Sequence, residues 1–484
     1  MRPDAQALAT IGHAYYRQGF FEAAADYWHE ALARDLPSVD AARVHDGLGK
    51  MAARRGRPGD AVPAFRHAMA LIPQEEHVVR ATIGMRSAIA LAMAGRQDQA
   101  FREARQLLKE AKGRVPEAIY GVLLANLAAM QTDYGYYELA LKNLEQAWEC
   151  FGPVEQDRYG YAVGVNWGTS LLELGMAAAA REKFRAALSC ATGNDIRAVN
   201  GLAHIALKDG QWQEMRAWGD RAFQTMWVSL MGFETEELAD LTQVLGQMGL
   251  ALGNGRLATR FLDLSQTLYG RLERWTRWRD INELIQQSES MGRPTNVTPT
   301  EVDLERFAVL LEGRLAQELV GAAVHATVEL RNQVCRTVAA RLGWSQERMD
   351  HLTYVSRLAD LGLSVTGEPK AYTGLASLVY YQQHPAMSVK LLERLGLPPE
   401  VLCGILDHHE RWDGEGFPAG KQGEEIAEMA QVFSVGDRYA ELALSRSMPH
   451  RQVLKQLRED AGKSLPPKMV TQLEDSFARL LETQ

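Results

Sequence analysis

Small and aromatic residues return in a fixed register along the first 270 residues of the chain. The first copy spans residues 8 to 37 and consists of Leu8, Ile11, Gly12, Tyr15, Gly19, Ala24, Trp28, Ala31 and Pro37. Two helices approach closely where small residues face each other, and large side chains beside that contact fill the remaining space. The pattern therefore predicts a pair of helices that ends at the proline.

This register recurs through the region, for example around Gly49 and around Gly168. The equivalent alanines are spaced by 37, 39, 40 and 40 residues, and they are Ala24, Ala61, Ala100, Ala140 and Ala180. The region resembles tetratricopeptide repeats, whose usual period is about 34 residues. The resemblance implies a solenoid of six or seven helical hairpins over residues 1–270, with a groove for a protein or peptide partner. Such stacks also serve as dimerisation scaffolds.

A change in composition marks the end of the repeats. Residues 271–299 are predicted to form a connector helix and a linker, because residues 292–300 are rich in turn-forming residues. A second domain is expected over residues 300–484, where helical patterns continue and no alternating strand pattern of useful length appears. The sequence therefore predicts an all-α protein.

Composition excludes several classes of protein. The net charge of −8, without a basic tail, argues against nucleic-acid binding by bulk electrostatics. Four widely spaced cysteines without a CxxC pair fit a reducing cytoplasm. The longest uncharged runs have 15 residues, which is too short to span a bilayer. We expect a cytoplasmic protein without a membrane anchor.

The most informative chemistry lies between Asp407 and Glu425. This run sets the adjacent His408 and His409 before a loop that is rich in glycine and charge. Neutral imidazole is a common ligand of catalytic transition metals, and glycines let backbone N–H groups approach a substrate closely. The alternative is a polar surface loop that follows a helix.

The run resembles the signature of the HD-GYP family, bacterial metal-dependent phosphodiesterases of cyclic di-GMP. The tripeptide that gives the family its name reads Gly416, Phe417 and Pro418 here. The likeness covers roughly residues 327–475, and it includes Asp437, where the family places a further acidic ligand. It implies an all-helical domain whose tripeptide loop contacts a diguanylate cyclase domain.

This chain departs from the family pattern at several positions. The histidine of the His-Asp pair is Ala359, and the lysine that follows the pair is Leu363. Some members supply further Glu and His ligands where this chain has Ala323 and Thr327. A third ion is therefore not expected. A two-ion site is impaired, since it needs ligands for both ions.

Three imidazoles and two carboxylates remain as candidate metal ligands: Asp360, His384, His408, His409 and Asp437. They suffice for one Zn, Mn or Fe ion with an open position for water. Adjacent residues of a helix point about 100° apart, so the two neighbouring histidines share a site only at a helix end or in a crevice between helices. If the domain is active, the resemblance makes Asp360, His408 and His409 its catalytic residues. Arg411 and Lys421 are the candidate replacements for the missing phosphate-binding lysine.

These residues together predict a bacterial signalling protein in which a repeat domain is joined to a partly degenerate HD-GYP domain. The C-terminal pocket is expected to bind a metal ion, cyclic di-GMP or a partner protein, with little or no hydrolysis. Two alternatives remain open. One is an active metal-dependent cyclic di-GMP phosphodiesterase, and the other is a protein-interaction scaffold in which the polar residues are structural.

Overall fold

A computed structural model describes most of the chain. The described residues are 4–54, 57–191, 195–211, 213–215, 217–219, 221, 235–271, 275–291, 304, 308, 323–363, 381–393 and 397–482. These residues are predominantly helical and form no strand beyond one isolated bridge between Ala461 and Leu465, so the predicted all-α fold is confirmed. No helix among them is long and apolar enough to cross a membrane. The predicted linker at residues 292–299 lies outside the described residues.

The chain divides into two compact units. The repeat unit is Ser38–Glu301, and the site unit combines Met1–Pro37 with Val302–Gln484. The first predicted hairpin therefore belongs to the unit that carries the candidate ligands. The domain boundaries near residues 270 and 300 follow the sequence pattern and stay a prediction.

The helices of both units follow one another in chain order. The site unit begins with α1 (Ala5–Arg17) and α2 (Phe21–Leu32). The repeat unit contains α3 (Ser38–Arg54), α4 (Pro58–Leu71), α5 (His77–Met93), α6 (Gln97–Ala111), α7 (Glu117–Asp133), α8 (Tyr137–Glu149), α9 (Pro153–Glu173), α10 (Ala177–Ser189), α11 (Ile196–Lys208), α12 (Thr235–Ala251), α13 (Gly255–Arg271) and α14 (Trp275–Glu289). The chain returns to the site unit with α15 (Ala323–Arg341), α16 (Gln346–Leu358), a 3₁₀ turn (Ala359–Gly362), α17 (His384–Leu392), α18 (Pro399–Leu406), α19 (Glu428–Ala440), α20 (His450–Asp460) and α21 (Pro467–Glu482).

The repeated register marks close helix contacts, as the sequence predicted. A Cβ atom on Gly49 would lie 2.6 Å from an aromatic ring of the next helix, and one on Gly168 would lie 2.8 Å from such a ring. Gly12 faces the indole of Trp28 in the same way. The five equivalent alanines are fully buried, and they are Ala24, Ala61, Ala100, Ala140 and Ala180.

The α1–α2 hairpin packs against α19, α20 and α21 through a buried polar network. The two ring nitrogens of His450 lie 2.7 Å from the Tyr439 hydroxyl and 3.0 Å from the Tyr15 hydroxyl. The backbone N–H of His450 also donates to the Asp26 carboxylate over 2.7 Å. Because α20 begins at His450, a side chain of the first hairpin caps the N-terminus of this helix. The sequence pattern of α1 and α2 predicted the hairpin but not this partner.

We predict that Gly168→Ala destabilises the repeat unit by about 1–3 kcal/mol, because the new methyl group forces a packed aromatic ring to move. Gly59→Ala is the matched control, since Gly59 lies in helix α4 with open space where its Cβ would be. It should leave stability unchanged or raise it by up to about 1 kcal/mol. Urea unfolding measures both changes, and equal effects of the two substitutions would contradict the close contact.

We also predict that His450 makes the site unit acid-sensitive. Burial, followed by the charge of Arg451, lowers the pKa of His450 to about 3, whereas an exposed histidine has a pKa of about 6.5. Between these pH values the unfolded chain therefore binds more protons than the folded chain. The contribution of this residue lowers the free energy of unfolding by roughly 2 kcal/mol as the pH falls from 7 to 5.

His450→Gln removes this titration while keeping a polar side chain. The difference in the free energy of unfolding between wild type and variant should shrink as the pH falls from 7 to 5, because only the wild type loses the His450 contribution. Chemical denaturation over this range measures the difference. Parallel stability curves would show that His450 does not titrate on unfolding.

Candidate functional site

Four of the five predicted ligands meet in the site unit. Asp360, His384, His408 and His409 each offer one ligand atom, and these atoms all lie within 4.8 Å of one another. The Nε2 atoms of His384 and His408 are 3.0 Å apart. They lie 3.7 and 3.6 Å from Oδ1 of Asp360. The fifth residue, Asp437, is not part of this group.

A serine clamp aligns Asp360 with His384. The 3₁₀ turn that carries Asp360 lies against the start of α17, where His384 is the first residue. Ser388 donates to the Ala359 carbonyl over 2.6 Å and accepts from the Gly362 N–H over 2.7 Å. A Cβ atom on Gly362 would lie 2.8 Å from the Ser388 backbone nitrogen, so only glycine allows this approach.

The adjacent histidines reach one site because α18 ends before them. This helix ends at Leu406, and residues 407–409 form a turn. The helix-end placement predicted for His408 and His409 is therefore what the structure shows. His409 stacks on the Phe417 ring with centroids 4.7 Å apart, and its Nε2 lies 3.2 Å from the Tyr381 hydroxyl.

Backbone carbonyls fix the tautomers of two imidazoles. Nδ1 of His384 lies 2.6 Å from the Tyr381 carbonyl, and Nδ1 of His408 lies 2.6 Å from the Ile405 carbonyl. A carbonyl oxygen can only accept, so both Nδ1 atoms carry the proton. In the neutral rings both Nε2 atoms then present lone pairs to each other and to the Asp360 carboxylate. Three acceptors converge, which is the arrangement that ligates a cation.

The electrostatics keep these groups in the forms that bind metals. Burial, and next the neighbouring His408, lower the pKa of His384 to about 4. The same two causes lower the pKa of His409 well below its ordinary value. Burial raises the pKa of Asp360, but Arg331 and the histidines more than offset this and hold it well below its ordinary value. At pH 7 the imidazoles of His384 and His409 are therefore neutral and the Asp360 carboxylate is ionised.

Arg331, which the sequence analysis did not single out, binds the fifth candidate ligand. Its Nη1 donates to Oδ1 of Asp437 over 2.8 Å and to Oδ2 of Asp360 over 2.9 Å. Burial lowers the pKa of Arg331, but the two carboxylates outweigh it and raise the pKa above the ordinary value. The structure therefore pairs Asp437 with a guanidinium, in contrast to its predicted place among the ligands.

Arg411 and Lys421, the predicted phosphate-binding residues, both bind carboxylates of the loop. Lys421 Nζ lies 2.8 and 2.7 Å from the two oxygens of Asp407, whose side chain is 1% exposed. Arg411 donates to both oxygens of Asp413 over 3.0 and 2.6 Å. Sequence reasoning missed Asp407, a buried carboxylate that needs a cation beside it.

The tripeptide loop touches the cluster directly. Gly416 lies where a Cβ atom would come within 2.6 Å of the His409 carbonyl, so the chain turns tightly beside the histidines. Phe417 covers His409, whereas Pro418 is exposed. A molecule that contacts this loop from outside would therefore lie one residue from the cluster.

A cavity of about 360 Å³ adjoins the histidines. Its cationic lining residues are Arg411, Arg438 and Lys463. Four acidic residues also line it, and they are Glu410, Asp437, Glu441 and Asp460. The cavity has room for part of a polar ligand, but its protein charges do not by themselves favour an anion.

The fold and the site define a helical domain with a candidate metal centre, and two family models match parts of the chain. Residues 314–468 match the family model of the HD domain, and residues 10–76 match that of the tetratricopeptide repeat. The chain therefore carries one region similar to tetratricopeptide repeats and one region similar to the HD domain. Both resemblances predicted from the sequence are confirmed.

Three curated relatives share part of this chain. The cyclic di-GMP phosphodiesterase of Thermotoga maritima is 23% identical over 35% of this chain and 49% of its own length. The 3'3'-cGAMP-specific phosphodiesterase 2 of Vibrio cholerae is 26% identical over 28% of each chain. The cyclic di-GMP phosphodiesterase response regulator RpfG of Xanthomonas campestris is 27% identical over 42% of this chain and 58% of its own length. The chain thus spans less than two thirds of each relative.

We predict that Lys421 is needed for stability, because its removal leaves the Asp407 carboxylate buried without a cation. Lys421→Met should lower the free energy of unfolding by about 2 kcal/mol or more. Lys455→Met is the control, since Lys455 is exposed and only 3.8 Å from Glu459 in the same helix. Its effect should stay below about 0.5 kcal/mol. A fully stable Lys421→Met variant would return Lys421 to the list of phosphate-binding candidates.

Proposed function

We propose that the site unit is the metal-dependent ligand-binding domain of a signalling protein. It holds one divalent ion, Fe, Mn or Zn, between Asp360, His384, His408 and His409. In this state it binds a cyclic dinucleotide of the cyclic di-GMP type, with little or no hydrolysis. The repeat unit supplies the contact with a protein partner.

The convergence of acceptors supports the metal site. The Nε2 atoms of His384 and His408, fixed as acceptors by their carbonyl partners, lie 3.0 Å apart. Two nitrogens bound to one tetrahedral ion at about 2.1 Å would be about 3.4 Å apart, so a small adjustment admits the ion. A single ion held by these residues would supply Lewis acidity toward a phosphate oxygen.

The relatives and the cavity support the choice of ligand. Two relatives are named for cyclic di-GMP and one for 3'3'-cGAMP, which share the cyclic dinucleotide scaffold. Three cationic and four acidic residues line the cavity beside His408 and His409. A phosphodiester is therefore attracted only when the divalent ion adds its charge. We expect nucleotide binding to depend on metal.

Four features support weak or absent hydrolysis. Ala359 cannot ligate, and Leu363 cannot neutralise a phosphate. Asp437 and Lys421 are held by Arg331 and Asp407 respectively. Hydrolysis by two ions needs ligands for both. With these features the first ion keeps all of its proposed ligands, whereas the second ion has no ligands of its own.

Surface features support the proposed contacts with proteins. Tetratricopeptide repeats present surfaces to partners, and several hairpin turns of the repeat unit expose large apolar side chains, including Met93 at 58%, Tyr136 at 45% and Met176 at 51%. In the site unit Pro418 is exposed beside Phe417, which covers His409. A diguanylate cyclase domain bound to this loop would sense the state of the metal centre.

We predict that the purified wild-type chain retains about one equivalent of divalent ion and that His384→Gln loses it, because glutamine removes one of the converging nitrogens. His351→Gln is the control, since His351 pairs with Glu400 outside the cluster. Metal analysis after dialysis against Mn²⁺ measures the content. Calorimetry should then detect cyclic di-GMP binding to the metal-loaded wild type and none after chelation.

Product analysis separates the alternatives. Metal-loaded wild type should leave cyclic di-GMP largely intact. Rapid turnover that disappears in His384→Gln would establish an active phosphodiesterase instead. A wild type that binds neither metal nor nucleotide would be a scaffold, and the polar cluster would then be structural.

A further inference from the structure

We propose that Arg331 serves as the second cation of this site. Its guanidinium bridges Asp360 and Asp437 where a two-ion centre would need another metal, and it thereby limits the site to one divalent ion. This inference rests on the proposed metal site and specifies how many ions that site holds.

The guanidinium is held in place by neutral partners as well as by charges. Its Nε and Nη2 donate to the Ser356 carbonyl over 3.1 and 2.6 Å. The Phe433 ring lies against it, with the guanidinium carbon 4.6 Å from the ring centroid. The side chain is only 4% exposed. Two of its three nitrogens are therefore engaged by the Ser356 carbonyl, and Nη1 points to the carboxylates.

The Nη1 nitrogen takes the position of a bridging cation. It lies 2.9 Å from Oδ2 of Asp360 and 2.8 Å from Oδ1 of Asp437. An ion that bridged these two oxygens would have to lie between them, where Nη1 lies. The nitrogen and the ion cannot both occupy this position, so Arg331 and a bridging metal exclude each other.

Asp360 divides its two oxygens between the two kinds of cation. Oδ2 accepts from Arg331, whereas Oδ1 faces the Nε2 atoms of His384 and His408 at 3.7 and 3.6 Å. One oxygen therefore remains for one ion. Asp437 accepts from the same nitrogen and does not join the histidine cluster.

The charge of the site leads to the same limit. Asp360, Asp437 and Arg331 sum to one negative charge, and imidazoles that ligate a metal ion are neutral. One divalent ion changes the sum to one positive charge. A second would raise it to three positive charges in a partly desolvated pocket, where repulsion is only weakly screened.

A close contact between helices α15 and α19 places Asp437 beside Arg331. Asp437 follows Gly436 on α19, and a Cβ atom on that glycine would lie 2.8 Å from the Arg331 carbonyl on α15. The two helices therefore approach at this point, and the carboxylate meets the guanidinium. Ala359 also limits the site to one ion, because its side chain has no atom that could bind a second one.

The decisive experiment counts ions in charge-removing and charge-keeping variants. Wild type, Arg331→Met and Arg331→Lys are purified in Mn²⁺, dialysed and analysed for metal. We expect about one equivalent in the wild type and in Arg331→Lys, and about two in Arg331→Met, because only methionine frees both carboxylates. Electron paramagnetic resonance should show exchange-coupled Mn²⁺ pairs in Arg331→Met alone.

The outcomes test the role of Arg331 separately from the proposed metal site. One ion in wild type and one in Arg331→Met would overturn the role of Arg331 while leaving the metal site intact. Two ions in Arg331→Lys would also overturn it, because a retained charge should exclude the second ion. A wild type without metal would overturn the metal site itself, and the inference with it.

Asp437→Asn decides the question if Arg331→Met fails to fold. The asparagine oxygen still accepts from Arg331, and Asp437 is 37% exposed, so this variant should fold. If Asp437 is bound by Arg331 and not by the metal ion, the variant binds Mn²⁺ at most about 100-fold more weakly than wild type, as is typical of residues outside the ligand set. A loss of more than about 100-fold would make Asp437 a ligand and refute the inference.

Discussion

The neutralisation of Asp360 is the constraint on which the site unit depends. An ionised carboxylate in a partly desolvated position must be balanced by a cation or by several hydrogen-bond donors. Arg331 on α15 supplies part of that balance, and the serine clamp on α17 sets the carboxylate against His384. The imidazoles of His384 and His408 bring further acceptors, which increases the demand for positive charge. Several helices of the unit thus supply the groups that surround and balance the Asp360 carboxylate.

The repeats and the pair of candidate histidine ligands were predictable because both are encoded locally. A glycine such as Gly168 faces an aromatic ring of the next helix, so the sequence records the contact within about 20 residues. The adjacent His408 and His409 lie in a glycine-rich context that few structural loops share. Helix geometry predicted that they could share a site only at a helix end or in a crevice between helices, and α18 does end just before them.

Arg331 illustrates what local patterns do not reveal. It lies on one face of α15 with Val328, Cys335 and Val338, all of which are buried. A charged residue in an apolar stripe signals a buried ion pair, and this signal was present in the sequence. Its partners were not predictable, because Asp437 is 106 residues away along the chain. The ion pair between Lys421 and Asp407 was not predicted for a related reason. In the sequence alone, either side chain could equally well face solvent.

The association of the first hairpin with α19 to α21 has a consequence for synthesis of the chain. Tyr15 leaves the ribosome long before Phe477, whose ring lies 5.5 Å from it in the folded protein. At about 5–20 residues per second, the hairpin waits roughly 20–90 s for its partner helices. Its aromatic face stays uncovered while the whole repeat unit is made. The site unit is therefore completed only after the repeat unit has been synthesised, and a chaperone that shields this face would favour productive folding.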